Sequence, residues 1–93
     1  INPGFNDEVI DQKVIISPNP AGVYIDINCN GIDSVESIII SDYQGRIVHS
    51  IKNVQKNTRE ITFRIDISSY IKGFYCVGIY TERGIWIKKF LKM

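Results

Sequence analysis

The chain of 93 residues is poor in the residues that carry chemistry. It has one histidine, one tryptophan, one methionine and two cysteines. With His49 alone, a nucleophile–base pair would have to join it to Cys29, Cys76 or a serine, and no spacing motif or orienting third group supports one. No enzyme is expected, and no cofactor. Two cysteines allow at most one internal disulfide, and Cys29 and Cys76 lie in distant segments. The alternative is that both are small apolar residues of a core. Charge of one sign is also missing: 11 Lys and Arg balance 10 Asp and Glu, for a net charge of +1. That argues against nucleic acid as a partner, because phosphate recognition calls for a strong positive excess. No apolar run approaches the length of a membrane span, so no stable membrane insertion is expected. Ile1 is followed by neither a basic n-region nor an apolar h-region, so any export signal is expected upstream in a longer precursor.

Alanine and leucine are scarce as well, whereas isoleucine recurs beside Val, Tyr, Phe and Thr. Branching at Cβ restricts χ1 and suits a pleated surface better than a helix. Residues 1–12, with Asn2-Pro3-Gly4 and the polar Asn6-Asp7-Glu8, read as a linker. From Lys13 onward the chain is a series of apolar runs separated by turn residues. Val14-Ile15-Ile16 stops at Ser17-Pro18-Asn19-Pro20. Val23, Ile25 and Ile27 share one face of an alternating run. Ile38-Ile39-Ile40, nearly continuous from Ser37 to Tyr43, reads as a strand buried on both faces, and Gln44-Gly45 turns it into 46–51. Ile61, Phe63, Ile65 and Ile67 point inward along the clearest strand; a corner at 68–73 leads to 74–81, and Glu82-Arg83-Gly84 leads to 85–92. About seven short strands of this kind predict an all-β, immunoglobulin-like antiparallel β-sandwich over residues 13–93.

Several stretches have two readings. Asp26 to Asp33 follows the oxygen spacing of a calcium loop through Gly31, but Ser37 stands where a bidentate Glu belongs; a strand ending in an Asn-Gly turn is the better account. Asp26, Glu60 and Asp66 read as solvated carboxylates on alternating strand faces. Among the aromatics, Tyr75 shares a face with Val77 and Ile79 and is expected in the core, while Trp86 and Tyr80 flank the last hairpin as a candidate saccharide platform. The final run, Ile87 to Met93, is either an edge strand guarded by lysines or an address tag offering backbone groups and a charge pattern to a receptor.

Four motifs in order carry a resemblance. Ile16-Ser17-Pro18-Asn19-Pro20-Ala21 resembles the opening Pro-Asn-Pro signature of the type A sorting domain of the type IX (Por) secretion system. The stretch from Ile40 through Gly45 and Arg46 to Val48 resembles its middle motif, a strand turning at a glycine followed by a basic residue. Ile65 to Tyr75, with Gly73 and Tyr75, resembles its serine-containing corner. Gly84 followed by Lys88-Lys89-Phe90-Leu91-Lys92 resembles its terminal motif, here extended by Met93. Gly78 stands where the family commonly has a polar residue, and Cys76 where a larger apolar one is usual.

The resemblance implies a role. Such domains are the C-terminal part of secreted cargo in Bacteroidota-type bacteria, recognised in the periplasm by type IX machinery proteins and routed across the outer membrane. A sortase-like protease then removes them, leaving the cargo at the cell surface or released. On this reading Lys88, Lys89, Phe90, Leu91, Lys92 and Met93 carry recognition, and Pro18, Asn19, Pro20, Gly45, Gly73, Tyr75 and Gly84 shape the fold. Removing the last few residues is expected to leave the fold largely intact. The alternative is an immunoglobulin-like module of a secreted protein that binds carbohydrate or protein.

Overall fold

The computed structural model describes residues 13–32, 35–52, 54 and 60–93. They form β1 (Val14–Ser17), β2 (Tyr24–Asn30), β3 (Val35–Asp42), β4 (Ile47–Lys52), β5 (Glu60–Asp66), β6 (Gly73–Thr81) and β7 (Gly84–Lys92). Two antiparallel sheets result, ordered β1-β2-β5 and β4-β3-β6-β7. This is a β-sandwich, as the alternating runs predict. The fourth strand joins the second sheet, giving the three-plus-four division of an immunoglobulin-like domain.

Cβ-branched residues on the inner faces make the core. Ile25, Ile27 and Cys29 of β2 face Ile38 and Ile40 of β3 and Val77 and Ile79 of β6, with Ile65, Ile67, Tyr75 and Phe90 completing the cluster. Val35 and Ile38 are an odd number of residues apart, yet both are buried. A register shift between Val35 and Ser37 opposite β6 reconciles them. Two expectations need correction. Val23 lies outside β2 and is 65% exposed, because the strand begins only at Tyr24. The triple isoleucine is not buried on both faces: Ile38 and Ile40 point inward, and Ile39 points outward and is half-buried.

The cysteines are on different sheets. Cys29 faces the interior from β2, and Cys76 lies on the outward side of β6, so no disulfide joins them. The calcium-loop string runs in extended β2 through Asn30, and Asp33 lies outside the described residues. Both Asp26 carboxylate oxygens accept from Arg64, at 2.8 and 3.0 Å. The Arg64 guanidinium also lies 3.9 Å from the centre of the Tyr24 ring. These contacts hold the Asp26 carboxyl below its ordinary range, chiefly through the Arg64 hydrogen bond. The Asn28 side-chain amide donates to Glu60 and Thr62. The outer face of β2 and β5 is therefore a polar surface whose side chains bond one another, with Ile15 of β1 exposed beside it.

Candidate recognition site

β7 is an edge strand, and alternation divides its side chains between two environments. Trp86, Lys88, Phe90 and Lys92 oppose Ile79, Val77, Tyr75 and Gly73 and face inward, whereas Ile85, Ile87, Lys89 and Leu91 face outward. Of the six residues expected to carry recognition, Phe90 is a core residue at 1% exposure and Lys92 is buried at 8%. Lys88 and Leu91 are half-buried, leaving Lys89 and Met93 exposed. Lys92 Nζ donates to the Met93 carbonyl at 3.0 Å, so a tail lysine that reads as solvated is tucked against the chain. The tail is part of the sandwich. Removal of residues 90–93 would take a core aromatic with it, which corrects the expectation that the fold tolerates the loss.

The opening motif fastens this strand. The Leu91 amide donates to Asn19 Oδ1 at 3.0 Å. Ala21 N–H donates to the Leu91 carbonyl and Met93 N–H to the Ala21 carbonyl, both at 2.8 Å, in a parallel bridge between Ala21 and Lys92. Pro18 and Pro20, which have no N–H to donate, flank Asn19 in a turn that leaves the Asn19 side chain to accept from β7 and the Ala21 backbone both to donate to it and to accept from it. Ala21 is 1% exposed and stands at the crossing. In the sequence it stands only as the last residue of the opening motif, with nothing to show that it meets β7.

The other two motifs support the same end of β7. Tyr75 stacks on Phe90 with ring centres 5.4 Å apart and touches the Tyr70 ring at 5.1 Å. Its hydroxyl donates to the Ile71 carbonyl at 2.6 Å, four residues back, bracing the corner that leads into Gly73. Asp66 starts that corner by accepting from the Ser68 N–H and hydroxyl, which keeps its carboxyl below the ordinary range. The Tyr70 hydroxyl is buried and has no hydrogen-bond partner among the described residues; burial raises its pKa.

In the middle motif the missed residue is Asp42, which lies opposite Tyr75. One of its carboxylate oxygens accepts from the Gln44 and Arg46 N–H groups, each at 2.9 Å, and the other from Arg46 Nε at 3.0 Å. These bonds keep the Asp42 carboxyl below its ordinary range, the Arg46 backbone N–H most of all. Gly45 completes the hairpin at φ 89°, where a side chain would be strained. An aspartate at the head of a short turn can bond the backbone N–H groups ahead of it in this way. Gly84 opens β7 after the Glu82-Arg83 turn.

Catalytic and saccharide readings find little support in this geometry. His49 is half-buried on edge strand β4 opposite Ile40. Among the described residues no three His, Cys, Asp or Glu side chains cluster as metal ligands. Trp86 packs inward beside the core and Tyr80 faces outward, so the two rings cannot form one platform. Among the described residues the most exposed aromatics are instead Tyr43 and Phe74, at 77% and 56%.

The first and last motifs of this small sandwich are bonded together, and the middle motifs buttress the terminal strand. The family of secretion system C-terminal sorting domains matches the chain over residues 8–93. The chain belongs to that family, a C-terminal sorting signal for the type IX secretion system and not an enzyme family. Membership implies interaction with the type IX machinery and export toward the cell surface or the extracellular space. No curated protein matches the chain.

Proposed function

We propose that type IX machinery proteins in the periplasm read this domain through β7 and carry the attached cargo across the outer membrane. A sortase-like protease then cuts within residues 1–12, and the cargo, covalently joined upstream of Ile1, is attached to anionic lipopolysaccharide or released. The observation that carries this reading is that β7 lies at an open sheet edge with its C-terminal end fixed by Asn19 and Ala21. A strand held in one pose presents backbone groups and alternating side chains to a receptor at low entropic cost. From Gly84 to Phe90 no described strand pairs with its outer edge.

The test is to place residues 1–93 behind a periplasmic reporter in a bacterium with a type IX system. The expected result is reporter at the surface or in the medium, freed of the domain. Reporter that stays in the periplasm refutes the reading.

A further inference from the structure

The two outer faces of the sandwich differ in a way that folding does not require. On the three-stranded sheet the outward side chains of β2 and β5 are polar and bond one another. On the four-stranded sheet, Ile39, Phe74, Tyr80, Ile85, Ile87 and Leu91 face outward. Phe74, Ile85 and Ile87 are 56, 53 and 63% exposed. They are neighbours across the strand pairs: Leu91 opposes Phe74, Ile85 opposes Tyr80, and Ile87 opposes Gly78, which in turn opposes Ile39. Gly78 contributes to the surface by lacking a side chain, since a Cβ there would come within 3.0 Å of the Tyr80 ring, which lies over it. A contiguous apolar patch on one face only marks a surface meant to be covered.

Charge indicates what covers it. Lys89 stands among these apolar residues opposite Cys76, and Lys52 lies at the far corner of the same face opposite Ser37. The in-register outward positions of this sheet hold no carboxylate; the exposed Glu36 lies in the β3 bulge between Val35 and Ser37, at the Lys52 end and away from Lys89. The ion pairs Asp42–Arg46 and Asp26–Arg64 lie elsewhere. A face of this kind favours apolar side chains grouped around a carboxylate that meets Lys89. A second copy applied face to face would bring Lys89 toward the same cationic surface.

We propose that the outer face of β6 and β7 is the docking surface for a partner protein whose contact region is apolar and acidic. The partner reads a folded face rather than a linear tail. This deepens the sorting reading and rests on it for the source of the partner, a component of the type IX machinery.

The test uses the full chain behind the reporter, in four forms: unchanged, Ile87→Ser, Lys89→Glu, and Ile15→Ser. Ile15 is 50% exposed on β1 of the opposite sheet, so it offers the same chemical change on the other face. Melting temperatures establish that all four are folded. Phe74→Ser stands in for Ile87→Ser should the latter fail to fold. The expected result is at least a tenfold loss of export for Ile87→Ser and Lys89→Glu, with Ile15→Ser exported like the unchanged chain. Equal export of all four overturns the docking face while leaving the sorting reading intact. If the unchanged chain is not exported, the sorting reading falls, and a photo-crosslinker at position 87 then decides the face. A protein adduct mapped to an apolar, carboxylate-bearing segment and lost in Lys89→Glu supports the proposal. A chain–chain adduct, a lipid adduct or no adduct overturns it.

Discussion

Replacing Phe90 by alanine tests the placement of the terminal strand most directly. The ring is 1% exposed and stacked on Tyr75 at 5.4 Å. Deleting a buried phenylalanine side chain costs about 3–5 kcal/mol, part transfer free energy and part cavity. In a domain of this size each kcal/mol lowers Tm by about 4–8 °C, so the drop is roughly 12–40 °C. Total stability of small domains is about 5–15 kcal/mol, so the variant should be close to unfolding at growth temperature. Circular dichroism during thermal and urea unfolding measures it, with an expected fall in the urea midpoint of about 1.5–5 M at a slope near 1–2 kcal/mol/M. The matched comparison is Lys89→Ala one residue earlier, which points outward and should stay within about 0.5 kcal/mol of the parent. A Phe90→Ala protein melting within about 2 °C of the parent would refute the packing described for β7.

Asn19→Ala removes the acceptor of the Leu91 amide. It should cost about 0.5–1.5 kcal/mol and speed exchange of that amide by up to about tenfold, read by hydrogen-exchange NMR. Tyr70→Phe deletes a buried hydroxyl with no partner among the described residues, so chemical denaturation should find stability unchanged or raised by up to about 1 kcal/mol. The carboxyls of Asp26, Asp42 and Asp66 all sit below their ordinary value of 3.8 in the folded chain. Groups depressed in this way contribute fully above the unfolded value and lose their contribution as pH falls through the folded ones. Tm should therefore hold between about pH 7 and 5 and decline below about pH 4, less steeply in Asp42→Asn. A Tm that rises on acidification would contradict those hydrogen bonds.

The strands were legible because their alternation is a one-dimensional signal. Ile61, Phe63, Ile65 and Ile67 announce which face of β5 is inward, and Ile65 and Ile67 are indeed buried. Ile39 was misjudged because three consecutive isoleucines look alike in sequence, and only pairing on both sides shows which faces out. The glycine-centred turns were readable from loop length. What organises them was not: Asp42 and Asp66 bond backbone N–H groups, and many exposed aspartates make no such bond. For the tail, the same lysine-rich string fits a free peptide or an integrated strand. The choice depends on Asn19 and Ala21, some 70 residues earlier, and no local pattern encodes such a partner. The outward apolar face was hidden for a similar reason, being assembled from odd positions of one strand and even positions of its neighbour.

The bond from Leu91 to Asn19 spans 72 positions of the chain. Closing a loop that long costs more chain entropy than closing a hairpin, so the contact depends on the rest of the sandwich holding its two ends near each other. The pose of the terminal strand's last residues is thus tied to the opening segment of the domain. On the sorting reading proposed above, a receptor that grips the strand there would meet that pose only where both ends of the domain are in place.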